Sequence, residues 1–160
     1  MCRTAKDVVY SLFLVDVAYL SSGPDFNSGL DATESNRLQH AMPVLKERAK
    51  NLVDLLESAW FLVEDRPLRM QDKALKILDD SARQTLAEVA AVLSDTSDWD
   101  ASGLEAAVKR FAEATDRKLG SIAQPLRAAL TGRTTSPGIF DVLAALGREE
   151  SLARIGDQAS

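Results

Sequence analysis

Apolar residues in this chain recur at spacings of three and four rather than two, and that regularity removes most sheet-containing folds from consideration. Leu86, Val89, Ala90 and Leu93 stand at i, i+3, i+4 and i+7, the spacing that lines one face of a helix. From Pro43 to Val63 the residues Leu45, Leu52, Leu55, Leu56, Ala59, Leu62 and Val63 fill more than one stripe, which predicts a central, largely buried helix. No stretch alternates with period two for long enough to build a strand ladder, and no internal repeat stands out. The fold class expected is all-α.

Glycine, proline and capping residues divide the pattern. Ser21-Ser-Gly-Pro-Asp and Asn27-Ser-Gly are turn chemistry, which places a boundary near Asp31. Pro43 suits a first helical turn, and Pro67 ends the helix that follows because its ring cannot continue the ladder. A second helix is expected from Asp80 or Ser81, stopping before Thr96. Ser102-Gly-Leu-Glu105 reads as a capping box opening a helix to about Leu119, with a turn at Gly120. Ile122 to Leu130 should be closed by Gly132. Ser136 and Pro137 pair as N-cap and first position for Ile139 to Leu146, which stops at Gly147, and Leu152 to Ile155 forms a last short helix. Near the start, Arg3 and Lys6 precede the apolar run Val8 to Leu20. Two readings stay open there, a secretory leader or a helix or hairpin packed on the rest. Asp16 in mid-run argues against a leader, and the run is well short of the roughly 20 residues a membrane span needs.

With 160 residues the chain has room for one domain or two small helical subdomains. Its net charge of −5 argues against holding nucleic acid on a uniformly basic surface; any such contact has to be local. The lone Cys2 cannot form an internal disulfide and the lone His40 cannot complete a metal site with it, so neither metal nor cofactor is expected and the compartment expected is the cytoplasm. The glycine-rich phosphate loops, the H-E-x-x-H zinc motif and the G-x-S-x-G nucleophile motif are missing from the sequence. The adjacent pairs Asp79/Asp80 and Glu149/Glu150 fit helix starts better than general acid catalysis, and no catalytic residue is assigned.

One stretch departs from the acidic average. Between Asp116 and Asp141 there is no acidic residue, while Arg117, Lys118, Arg127 and Arg133 supply cations and Thr131, Thr134, Thr135 and Ser136 supply hydroxyls. Gly132 and Gly138 permit close backbone approach, and helix N-termini favour phosphate. On composition a plain pair of helices with solvated arginines is favoured over an anion-facing patch.

The residues themselves separate the two. Gln124-Pro-Leu-Arg-Ala-Ala-Leu-Thr-Gly132, then Ser136-Pro-Gly-Ile-Phe140, then Val142-Leu-Ala-Ala-Leu-Gly147 closely resemble the C-terminal signature of bacterial glutamyl-tRNA synthetases, which are class I aminoacyl-tRNA synthetases. Met42-Pro-Val-Leu-Lys-Glu-Arg-Ala-Lys50, Leu52 to Phe61 and Arg66-Pro-Leu68 are similar to the opening of the same region. The resemblance runs from about Asp31 to Ile155 and leaves residues 1–30 outside it. It implies a helical cage of two subdomains, 31–119 and 120–160, that grips the anticodon loop of the glutamate-accepting tRNA. By the same resemblance Arg127, Ser136, Pro137 and Ile139 lie against the last anticodon bases, and Arg48 is the best match for an arginine that reads the first. Arg117, Lys118 and Arg133 are candidate phosphate contacts. RNA loops are read by stacking and by hydrogen bonds to splayed bases, which suits this inventory.

The resemblance also has gaps. The H-I-G-H and K-M-S-K-S-like strings of the family's ATP-binding domain do not occur in these 160 residues. The expected function is therefore a tRNA-binding module that does not charge tRNA by itself, with a separate catalytic domain or chain as a further partner and no membrane. A helical protein-interaction module, or a remnant without function, is the alternative. Far-ultraviolet circular dichroism of the purified chain is expected to show a mostly helical spectrum, and a strand-rich one would overturn both the fold class and the resemblance.

Overall fold

The structure is a computed structural model that describes Gln39, Ala41, Met42, Leu45, Lys46 and residues 59–62 and 64–159. The described residues are helical or irregular, with no strand among them. Two compact units divide the chain, Met1–Glu64 and Asp65–Ser160. In the first, Gln39, Ala41, Met42, Leu45 and Lys46 are helical, so helical residues precede Pro43. Ala59 is helical and Trp60–Leu62 tightens to a 3-10 turn, a common way for a helix to end. Ala59, Phe61 and Leu62 are buried, and the Trp60 and Phe61 rings meet edge to face at 6.3 Å. The run Val8 to Leu20, the boundary near Asp31, Arg48 and most of the stretch expected to be a central helix lie outside the described residues.

The second unit holds six helices: α1 (Asp72–Leu75), α2 (Asp80–Ser94), α3 (Ala101–Ala114), α4 (Leu119–Thr131), α5 (Ile139–Leu146) and α6 (Arg148–Ala159). Helix α4 packs against each of the other five. Its sequence explains that position, because Ile122, Leu126, Ala128, Ala129 and Leu130 are inaccessible to solvent over more than one face. Helices α2 and α6 run antiparallel: Arg83 donates to the carbonyl of Gln158 at one end, and Arg148 donates to those of Ser94 and Thr96 at the other. Arg148 thereby occupies the free carbonyls that end α2, and its guanidinium lies 4.9 Å from the Trp99 ring centre. The division expected at 119/120 falls inside this unit, because α2 and α3 pack directly on α4, α5 and α6.

Several helix ends differ from the sequence expectation, each for a local reason. Helix α3 starts at Ala101, where Asp100 caps it by accepting from the Gly103 N–H at 2.8 Å. The capping box at Ser102 is not used, and Glu105 instead pairs with Lys109 one turn on. The break after α3 comes at Asp116, in the left-handed region at φ 52°, rather than at Gly120, which lies inside α4. Aspartate tolerates that conformation better than most residues. Gly138, not Ser136, stands at the N-cap of α5. The last helix runs for 12 residues rather than the four expected, and α1 was not anticipated.

The C-terminus of α4 is the most constrained point of the unit. Gly132 has φ +66°, and a Cβ there would lie 2.6 Å from the carbonyl oxygen of Arg69. The Gln71 N–H donates to the Gly132 carbonyl at 2.8 Å, so the segment entering α1 is laid directly across this glycine. One residue-pair further in, Arg154 of α6 is 1 % exposed. Its Nε donates to Glu150 at 2.7 Å and its NH1 to the Leu130 carbonyl at 3.0 Å. Glu150 also faces Arg66 at 3.7 Å. No buried side-chain nitrogen or oxygen among the described residues lacks a partner, as a buried charge requires.

Two stability predictions follow from that junction. Gly132→Ala should cost at least about 1–2 kcal/mol for the left-handed backbone alone, with more for displacing Arg69, whereas Gly156→Ala, with open space around the new Cβ, should gain roughly 0.5–1 kcal/mol as a helix-interior replacement. Thermal or urea melts of the two variants should therefore move in opposite directions. Arg154→Met should lose roughly 3 kcal/mol, because it leaves the buried Leu130 carbonyl without its donor and Glu150 without its nearer cation; an unchanged urea midpoint would show that the buried arginine holds nothing.

Candidate nucleic-acid interface

Helix α4 carries Gln124, Pro125 and Arg127 on its way to Gly132, and the loop 132–138 returns past it to α5. Pro125 sits seven residues into the helix and has no N–H for the carbonyl one turn back, that of Ser121; Ser121 is exposed, so water can serve it. Three carbonyls of its last turns have partners beyond the regular helix ladder. Thr131 Oγ1 donates to the carbonyl of Arg127 at 2.8 Å, the Gly132 N–H to that of Ala128, and Arg154 to that of Leu130.

Four of the residues singled out in the sequence come together at this loop. Arg127 Nε donates to Ser136 Oγ at 3.0 Å, and Ser136 Oγ in turn donates to the Pro137 carbonyl at 2.8 Å. This relay fixes the guanidinium plane against the loop and uses one edge of its donor fork. The terminal nitrogens of Arg127 make no hydrogen bond among the described residues. No carboxylate among the described residues pairs with it, which agrees with the absence of acidic residues from 117 to 140. Arg127, Ser136 and Pro137 are all partly exposed. Ile139 is different: at 4 % exposure it is the buried first residue of α5 and anchors the loop to the core.

The remaining cations are distributed differently. Arg117 lies at the α3–α4 connection, where its NH1 is 2.6 Å from Glu88 and its guanidinium is 5.6 Å from the Phe111 ring centre. It braces α2 against that connection and is not part of the Arg127 cluster. Lys118 is exposed at the N-cap of α4, at the opposite end of the helix from Gly132. Arg133 follows Gly132 directly and is half-buried, its N–H held by Thr131 Oγ1 at 3.3 Å. Arg48 is outside the described residues. Among the described residues no group of His, Cys, Asp and Glu could hold a metal ion, and no helix is long and apolar enough to cross a membrane. The arrangement offers a planar, pre-oriented cation with free donors beside a loop rich in hydroxyls. Such a group can form paired hydrogen bonds to a planar acceptor edge and stack on it.

Sequence reasoning missed Arg154 and the role of Arg148. An arginine four residues after a glutamate within a helix is an ordinary surface pattern, and nothing local marks Arg154 as buried.

Comparison with known proteins identifies the arrangement. A family model described as "Anticodon binding domain" matches residues 11–159. Glutamate–tRNA ligase 2 of Chelativorans sp. is 55 % identical over 159 residues, covering 99 % of this chain and 34 % of that protein. The glutamate–tRNA ligase of Afipia carboxidovorans is 51 % identical over 142 residues, 89 % of this chain and 30 % of that one. A solved glutamate tRNA ligase from Elizabethkingia meningosepticum superposes with a TM-score of 0.70 at 21 % identity, over 98 % of this chain and 29 % of that one. The chain thus spans about a third of the length of the curated relatives it matches. Residues 1–30, expected to fall outside the family pattern, lie largely within it, since the family match begins at residue 11 and the Chelativorans alignment takes in nearly the whole chain. The fold, the Gln124 to Gly132 string and these matches lead to one conclusion: the chain belongs to the anticodon binding domain family.

Proposed function

We propose that this chain is a tRNA-binding module that recognises the anticodon loop of glutamate-accepting tRNA. The observation that carries the reading is the Arg127–Ser136–Pro137 relay, which turns an arginine with open donors toward a half-exposed loop. Single-stranded RNA is read at such places, where a base can stack on a guanidinium and offer it a hydrogen-bonding edge. In this reading Arg127 contacts a base, Ser136 and Pro137 set its plane and border the base, and Ile139 holds the loop. Arg48 reads a further anticodon base. Lys118 and Arg133 are the phosphate contacts; Arg117 is engaged by Glu88 and contributes through the fold. The module works with a catalytic domain, on another chain or in a longer protein, in the cytoplasm. The glutamate–tRNA ligase names of relatives more than half identical support the choice of tRNA.

Binding of the purified chain to glutamate tRNA and to a non-cognate tRNA at moderate salt tests this directly. Cognate preference is expected, with a shallow salt dependence, because few phosphates are contacted and each adds roughly 0.7–0.9 to the slope. Arg127→Lys should weaken cognate binding by on the order of 1–3 kcal/mol, as loss of a paired base contact does on DNA, and should affect non-cognate tRNA less. Lys118→Ala should lower both affinities about equally. A chain that binds neither tRNA would refute the reading and favour a protein-interaction module.

A further inference from the structure

The segment that leads into α1 lies across the end of α4. The main chain of Arg69 is held there from two sides. Its carbonyl oxygen lies where a Cβ on Gly132 would be only 2.6 Å away, and two residues on the Gln71 N–H is bonded to the Gly132 carbonyl at 2.8 Å. Arg69 is therefore fixed beside the start of the loop 132–138, one residue from Arg133 across the contact. Along the helix axis Gly132 is only about 7–8 Å from Arg127, at 1.5 Å per residue over five residues.

The Arg69 side chain, by contrast with its backbone, is exposed and makes no hydrogen bond or ion pair among the described residues. Most other arginines of this unit are engaged. Arg66, three residues earlier, faces Glu150 and Asp157; Arg83, Arg117, Arg148 and Arg154 are bonded within the fold. Lys73 on α1 and Lys76 at its C-cap are likewise exposed and without a partner among the described residues, and that helix packs on α4.

We propose that Arg69 is a second RNA contact of the same site, taking a phosphate of the strand whose bases face Arg127; this rests on the RNA-binding reading above. The chemistry favours a phosphate over a base. Arg127 has Ser136 to fix its plane, as base readout requires, whereas no described residue orients the Arg69 guanidinium by a hydrogen bond, which suits a charge contact to phosphate. Backbone contacts of that kind place the strand and carry no sequence information. Arg69 and Arg127 thus divide the work, one holding the strand and the other reading it.

The test compares Arg69→Gln, Arg69→Lys and Arg110→Gln with wild type, by binding to glutamate tRNA and a non-cognate tRNA over a range of salt. Arg110 is an exposed arginine on α3 without a partner among the described residues, so its replacement removes the same charge elsewhere. Arg69→Gln is expected to lower affinity for both tRNAs about 3–10-fold, the range of one net hydrogen bond, and to reduce the salt slope by roughly 0.7–0.9. Arg69→Lys should keep most of the affinity, unlike Arg127→Lys, because a phosphate accepts either cation. Unchanged affinity and slope in Arg69→Gln, or an equal loss in Arg110→Gln, would overturn the proposal while leaving the anticodon-loop reading intact. A loss in Arg69→Gln confined to the cognate tRNA would also overturn it, since that is the mark of a base contact. Wild-type protein that binds neither tRNA would refute the underlying reading and this inference with it.

Discussion

The buried guanidinium of Arg154 and the carbonyl of Leu130 form the interaction on which the second unit depends. A charge without solvent access is tolerated only when its donors are used, and here α6 supplies the cation while the last turn of α4 supplies an acceptor that helix geometry leaves without an intrahelical partner. Each group meets a requirement of the other. Because α4 is also the helix on which the other five pack, fixing its C-terminus fixes the origin from which the loop 132–138 departs.

That origin explains why cations in one small unit have different fates. Arg66, Arg148 and Arg154 lie within reach of carboxylates or helix-end carbonyls and are used to join elements. Arg127 emerges where the local sequence supplies no carboxylate, and among the described residues its hydrogen-bond partner is a hydroxyl, which orients it without neutralising it. A net negative chain can in this way keep an oriented cation un-neutralised. Several acidic residues stand instead at helix starts, where Asp79 accepts from the Ala82 N–H and Asp80 and Glu149 lie in first turns that favour negative charge.

Much of this was legible in the residues. The helix ending at Gly132 was readable because only glycine suits a left-handed cap, and Asp79 with Asp80 at the start of α2 fitted capping chemistry. What failed was the choice between competing local signals. Asp100 and Ser102 both cap well, and the earlier one prevailed because Gly103, lacking a side chain, lets the Asp98 carbonyl come close. Gly120 looked like a break, yet near a helix N-terminus a glycine costs little, and the turn formed at Asp116 instead. At the site, the relay from Arg127 through Ser136 came from residues already singled out. Arg117 did not join it, because composition cannot distinguish a solvated arginine from one paired with a glutamate 29 positions earlier. Ile139, expected against the bases, is 4 % exposed at the start of α5.

The crossing at Gly132 has a consequence for how such a chain can change over time. Any side chain at position 132 would need the main chain at Arg69 to have shifted beforehand, and that shift would break the bond from Gln71 that holds the crossing together. Residues 69–71 and 132 are far apart in sequence but form one heritable unit. Neither can drift alone without a less stable intermediate, so change around the loop is easier at Thr134 and Thr135, where a new side chain can be tried without first rebuilding the end of the helix.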